Sequence, residues 1–181
     1  MKHVMRIILL TLFLSFMACS NDEDTNDNTT GMEDITIPLN QMTFDITGTV
    51  EGAKSGFCYV NIIGSSSYMV SSNDGTSAAD QTFGITLYKD FEEDPVGNPA
   101  PGTYPIGTVV DVSGIDGFWV VYTDTQNDTE FGSGTDAVSG SLTIISNTNN
   151  ELKGTFEFTA TNNQTGESIQ VTNGKFSAAI D

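Results

Sequence analysis

Residues 152–161 read LKGTFEFTAT. In an extended chain successive side chains point to opposite faces. Leu152, Phe156, Phe158 and Ala160 therefore share one face, and Lys153, Thr155, Glu157 and Thr159 the other. A strand with one apolar and one polar side needs other strands over the first and water over the second, as in the wall of a sandwich or barrel. The same texture runs from Ile35 onward. Short runs rich in Val, Ile, Phe, Tyr and Thr alternate with clusters of Gly, Asn, Asp and Ser, which is the punctuation of strands and turns. The runs predict strands over 42–50, 57–63, 67–72, 82–89, 103–112, 117–124, 138–146, 152–161 and 167–179. No stretch shows a capped apolar period of 3.6 residues. The expectation is an all-β fold: a single antiparallel β-sandwich of about nine strands, with a β-barrel as the alternative.

Some segments add detail. NNQTG (162–166) closes a hairpin between the last two strands. Asn173-Gly174 is a strong two-residue hairpin signal. A hairpin there would set Val171 against Phe176 and Ile169 against Ala178. A bulge within one long strand is the alternative reading. In GFWVVYTD (117–124) both faces are apolar, so this strand is expected to be central and covered on both sides. The stretch from Asp90 to Pro101, DFEEDPVGNPAP, is long for a β connection and reads as a solvated crossover.

The N-terminal part has a different character. MKHVMR carries Lys2 and Arg6, IILLTLFLSFM (7–17) is apolar, and Ala18 is small. A basic start, an apolar run of about a dozen residues and a small residue mark a signal peptide. That run is shorter than the roughly 20 residues a membrane-spanning helix needs. Residues 20–34 contain Met32 as their one apolar residue and read as a polar tether. The chain thus divides into a signal peptide (1–18), an acidic tether (19–34) and a β-domain (35–181).

Charge and chemistry narrow the function. The chain has a net charge of −18, and His3 is its single histidine. Removal of residues 1–18 leaves four lysines against 24 acids, a net charge of −20, and no histidine. Such a chain repels nucleic acid. It has no Ser-His-Asp or Cys-His nucleophile and no histidine-ligated zinc. No catalytic residue is assigned, and the chain is expected not to be an enzyme. Carboxylates are the plentiful reactive groups, so a carboxylate-based hydrolase is the one enzymatic alternative. The loop DTQNDTE (124–130) offers Asp124, Asp128 and Glu130, with Asn127, as oxygen ligands for Ca²⁺, without matching an EF-hand loop. NDGTSAAD (73–80) offers Asn73, Asp74 and Asp80 in the same way. Aromatic faces beside Asn and Asp suit a sugar. Trp119, Tyr59 and Tyr122 are the leading candidates for ligand contact, with Tyr68 and Tyr88 behind them. Cys58, in GFCYVNIIG, reads as a small core hydrophobe.

Two resemblances complete the reading. FMAC (16–19) resembles a lipobox, which implies that Cys19 becomes the new N-terminus and the lipid attachment point. The SNDED that follows resembles the export signal of Bacteroidota lipoproteins displayed on the outer face of the outer membrane. PGTYPIG (101–107), VSGSLTIIS (138–146) and LKGTFEFTATNNQTGESIQVTNGKF (152–176) together resemble a family of small Bacteroidota lipoproteins of unassigned function, which share a lipobox, a polar tether and a β-domain ending in GTFxFTA…VTNGxF. The resemblance implies a lipid-anchored outer-membrane protein facing outside the cell and carries over no catalytic residue. The expected function is a non-catalytic binding module for a glycan or another extracellular ligand. A structural or interaction protein with an envelope protein partner is the alternative.

Overall fold

The alternation of LKGTFEFTAT is that of a long strand in a closed sheet. A computed structural model describes residues 35–63, 67–90, 99–112 and 116–180. The segment 1–34, with Cys19, lies outside the described residues, as do residues 91–98 of the Asp90–Pro101 connection.

Ten strands form the sheet: β1 (Gln41–Gly48), β2 (Gly52–Ile63), β3 (Ser67–Asn73), β4 (Phe83–Asp90), β5 (Gly102–Gly107), β6 (Phe118–Asp124), β7 (Thr129–Phe131), β8 (Ala137–Thr148), β9 (Glu151–Thr161) and β10 (Ser168–Ala179). One helical turn, α1 (Val109–Val112), joins β5 to β6. The order around the sheet is β4-β3-β2-β1-β10-β9-β8-β5-β6, and β6 pairs back onto β4 through Phe83↔Asp124 to Tyr88↔Trp119. Nine strands thereby close into a barrel, with β7 added to β6. The all-β class stands, and of the two expected architectures the molecule adopts the barrel. Closure removes the exposed strand edges that an open sheet leaves.

Three features depart from the sequence expectations, and a fourth settles between two stated alternatives. β5 ends at Gly107, and the stretch read as its continuation is α1. The cause is local. Asp111 N–H donates to Thr108 Oγ1 (3.1 Å), while Thr108 N–H (3.3 Å) and its hydroxyl (2.7 Å) donate to the Asp111 carboxylate, a reciprocal cap that starts a helical turn. β5 and β6 are parallel, sharing Ile106↔Phe118 and Gly107↔Trp119, where only antiparallel pairs were expected. β7 was read as part of a loop, but Tyr122↔Phe131 to Asp124↔Thr129 make it a short hairpin partner of β6. Finally, Asn173-Gly174 is no hairpin. β10 runs straight through it, and the register slips there against both neighbours, between Val171 and Gly174 on the β9 side and between Thr43 and Asp45 on β1. Asn173 sits at φ 54°, the left-handed region that Asn tolerates. This is a β-bulge, and Val171 pairs with Phe158 and Ile46 rather than with Phe176.

Inward residues fill the barrel, as side chains do in small barrels. Met42, Phe44, Ile46, Cys58, Tyr68, Phe83, Leu87, Phe118, Tyr122, Phe131, Leu142, Phe156 and Phe176 are among the buried ones. Phe44 meets Phe83 edge-to-face at 5.4 Å, a preferred aromatic geometry. The hairpin expected at NNQTG joins β9 to β10: Asn162 Oδ1 accepts the N–H groups of Gln164 (2.8 Å) and Thr165 (3.1 Å), and Gly166 at φ 76° completes the turn.

Candidate functional site

The outer wall is not uniform. Outward positions on β8, β9, β10 and β1 are polar, such as Ser139, Ser141, Thr143, Thr155, Glu157, Thr159, Gln170 and Thr43. On β2, β3, β4 and β6 aromatic and aliphatic residues are interspersed with the polar ones. The ladder sets Asn61, Met69, Tyr88 and Trp119 in one row across these strands, and Tyr59, Ser71, Thr86 and Val121 in the next. Phe57, Asn73, Gly84 and Thr123 form a third row. Tyr88 and Trp119 stack with centroids 5.0 Å apart and planes 8° apart. Phe57 and Tyr59 stack at 6.2 Å and 25°. Phe57 is 58 % exposed.

Trp119 was expected to lie on a strand covered on both faces. It and Val121 are instead half-exposed on the outer wall. Beyond Trp119 the wall ends at α1. A Cβ on Gly107, the partner of Trp119, would lie 3.2 Å from Asp111 Cβ, so glycine lets the helical turn lie against β5.

Of the predicted ligand residues, Trp119 and Tyr59 share this wall. Tyr122 does not: it faces the interior, fully buried, stacked on Phe83 at 6.4 Å, and burial pushes its phenol up from the usual tyrosine value. Tyr68 is likewise fully buried inside. The structure brings Tyr88, Phe57 and Met69 to the wall beside Trp119 and Tyr59. The signal for Phe57 was its parity with Tyr59 on one strand, two residues apart.

The calcium candidates do not converge. Asp124 is buried at the end of β6, where its carboxylate accepts Gln126 N–H (3.0 Å), Asn127 N–H (3.4 Å) and Asn127 Nδ2 (2.7 Å). It holds the β6–β7 turn. Asp128 sits in that turn at φ 50° and is exposed, as is Glu130 on β7. In the second loop, Asp74 accepts N–H groups from Thr82 (2.8 Å) and Phe83 (3.3 Å) and the Thr82 hydroxyl. Burial would raise the Asp74 pKa, but these hydrogen bonds outweigh it and hold the carboxyl below its usual value. Among the described residues no three Cys, His, Asp or Glu side chains are grouped to hold a metal.

Buried ionisable groups elsewhere include Cys58 and Lys89. Cys58 is fully buried, and burial pushes its thiol up to about 12. Lys89 points inward near the end of β4, 2 % exposed, with its ammonium 5.1 Å from the Tyr104 ring and 5.5 Å from the Phe118 ring. It is ion-paired with Asp116, and burial lowers its pKa.

The family described as Domain of unknown function (DUF6252) matches residues 76–179, more than half of the chain. The chain belongs to the DUF6252 family. The matched region of this DUF6252 protein runs from the loop before β4 to the end of β10. The barrel extends further: β1, β2 and β3, which bridge β10 to β4, precede the match. They supply Phe57, Tyr59 and Met69 to the aromatic wall. No curated protein and no solved structure matches the chain.

Proposed function

We propose that this DUF6252 protein is a lipid-anchored binding module of the outer membrane, held by lipid on Cys19 and facing outside the cell, which takes a glycan or another extracellular ligand on its β2–β3–β4–β6 wall without catalysing a reaction. The anchor rests on the lipobox-like FMAC and the acidic stretch behind it. The binding role rests on one observation, the exposed wall carrying the Tyr88–Trp119 and Phe57–Tyr59 stacks. Aromatic faces flanked by Asn61, Asn73 and Thr123 offer stacking and hydrogen bonds together, the combination that sugars need.

Trp119 is the only tryptophan in the chain, so its emission reports on this wall alone. Titration with a panel of neutral and acidic oligosaccharides is expected to change Trp119 emission saturably for at least one of them. Tyr59→Ala, which leaves the fluorophore in place, is expected to weaken that binding about tenfold. No saturable change across the panel counts against a glycan. For the anchor, Cys19→Ala is expected to release the protein from the membrane fraction and abolish palmitate labelling.

The alternative of an envelope interaction protein draws on a different observation. Leu39, Ile62, Val109 and Val110 are exposed outside the aromatic rows. That reading requires a partner that co-purifies with the protein and is lost when Val110 is changed to Asp.

A further inference from the structure

The β10 bulge changes the outer surface next to the aromatic wall. Where β10 carries its extra residue, a shallow groove of about 380 Å³ opens over β1 and β2. Thr43, Asp45, Ala53, Ser55, Asn173 and Lys175 line it, together with Phe44 and Lys54. Ligand pockets run from roughly 300 to 1,000 Å³, so this groove lies at the small end, the scale of one or two sugar rings. Bulges are used in this way elsewhere, to re-aim a side chain beside a site.

The chemistry of the lining is mixed and balanced. Lys175, Thr43 and Ser55 are ladder neighbours on three adjacent strands, so their outward side chains span about 10 Å across the groove. Asn173, thrown outward by the bulge, donates its Nδ2 to Asp45 Oδ2 (2.8 Å). That bond fixes both side chains and leaves Asp45 Oδ1 and the Asn173 amide oxygen as acceptors among the described residues. Ser55 accepts from Gln41 Nε2 (3.1 Å), which leaves its own hydrogen to donate. Lys175 has no carboxylate within ion-pair distance among the described residues, whereas Lys89 and Lys153 each have one. Lys54, which also lines the groove, pairs with the inward Phe44 and lays its ammonium over the Phe83 ring (5.9 Å), away from the outward groups. On the outer face one ammonium, one carboxylate, one amide and two hydroxyls therefore lie together with their formal charges balanced. A simple ion gains little from such a set. A polyol, each of whose hydroxyls both donates and accepts, uses all of it.

The groove also connects to the wall. Ser55, Phe57 and Tyr59 follow one another on the outer face of β2, so a ring seated in the groove has the exposed Phe57 beside it. We propose that the groove at the β10 bulge is a pyranoside subsite, in which Asp45 and Asn173 accept from neighbouring sugar hydroxyls and Lys175 and Ser55 donate to them. This rests on the glycan reading of the wall and extends it by a second contact point.

The test uses the full chain, with methyl glucopyranoside, galactopyranoside and mannopyranoside and with β-1,4-linked glucose oligomers of two to six units as probes. Backbone amide shifts are followed at Thr43, Ser55 and Lys175, alongside Trp119 emission. At least one probe is expected to shift the three groove amides saturably. Asp45→Ala and Lys175→Ala, both on exposed or half-exposed outward positions, are expected to weaken that binding tenfold or more while leaving the thermal midpoint within a few degrees. If oligomers change Trp119 emission but shift no groove amide, the subsite is overturned and the wall stands. If the groove amides shift without any Trp119 response, the subsite stands and the wall reading fails. Binding unchanged within twofold in both variants, or no binding by any probe, overturns the subsite.

Discussion

Phe156 on β9 and Phe176 on β10 each lie over the glycine that faces them across the ladder: Phe156 pairs with Gly174, and Phe176 with Gly154. The two rings are 6.3 Å apart and tilted by 41°. A Cβ on Gly174 would stand 2.4 Å from the Phe156 carbonyl oxygen and 2.7 Å from its ring. A Cβ on Gly154 would stand 2.5 Å from the Thr143 carbonyl oxygen and 2.6 Å from the Phe176 ring. Glycine weakens a strand interior unless something uses the missing side chain. Here two aromatic rings do so, in the manner of aromatic side chains covering strand glycines.

Gly154→Ala and Gly174→Ala are each expected to destabilise the barrel by about 1–3 kcal/mol through overpacking. Urea unfolding would show a lower midpoint with an unchanged slope. The double variant Gly154→Ala/Phe176→Leu is expected to lose less than the sum of the two single variants, because the smaller side chain relieves the ring contact while the Thr143 carbonyl still stands in the way. Strict additivity of the two changes would show that the ring and the glycine are not coupled.

The same pair shows what the sequence could and could not reveal. Alternation placed Leu152, Phe156, Phe158 and Ala160 on one face, and all four are buried. The dipeptide Asn173-Gly174 carried a turn signal of equal local strength, yet β10 continues through it. What decides between turn and bulge is whether flanking strands are present on both sides. β10 has β1 and β9, and two complete ladders outweigh a local turn preference. Barrel closure was open for the same reason, since it depends on which strand β4 finds at the end of the sheet. Trp119 illustrates the limit for the candidate site. Apolar residues on both faces of β6 could mean burial on both sides or an exposed aromatic wall, and only the pairing with Tyr88 and Gly107 places it outside. Tyr122, three residues on, has opposite parity and lies in the core.

Lys89 is a cation almost without solvent contact, set between Tyr104 and Phe118 and paired with Asp116, whose side chain is 73 % exposed. Taking an ammonium out of water is costly, and an apolar replacement of similar shape is often neutral or stabilising. Lys89→Met is therefore expected to lie within about 1 kcal/mol of the parent in stability. Lys89→Ala, which also removes the stem packed against two rings, is expected to cost about 2–3 kcal/mol. Asp116→Asn takes a counter-charge from a buried ammonium, so it is expected to cost more than Lys89→Met, about 1–3 kcal/mol. Chemical denaturation of the three variants gives this order directly. A Lys89→Met variant as unstable as Lys89→Ala would show that the charge, not the stem, holds this end of the barrel.

Tyr88 and Trp119 join the two strands that close the barrel. Cross-strand aromatic pairs contribute about 0.5–1.5 kcal/mol beyond their buried area. A double-mutant cycle with Tyr88→Ala and Trp119→Ala is expected to give a coupling energy in that range, read from urea midpoints at constant slope. A coupling near zero would mean that the stack is held by its neighbours and adds nothing to closure. It would leave the pair available for ligand contact without a stability role.

Cys58 lies inside the barrel with its thiol pushed up to about 12, against 9.0 for an unburied thiol. In the folded protein it is expected to resist an aromatic disulfide reagent at pH 8 and to react fully once urea unfolds the chain, because the thiolate is the reacting form. The same shift has a consequence for stability. Between pH 9 and about 12 the unfolded thiol has lost its proton and the folded one has kept it, so the folded state binds more protons in this window. Stability therefore falls as pH rises through it, by up to about 1.4 kcal/mol per pH unit from this group. Cys58→Ala leaves a small void and is expected to be less stable at pH 7. It is also expected to lose stability less steeply above pH 9 than the parent, so the two unfolding curves converge as the solution becomes more alkaline. Parallel pH profiles for parent and variant would show that the thiol does not contribute to the alkaline loss.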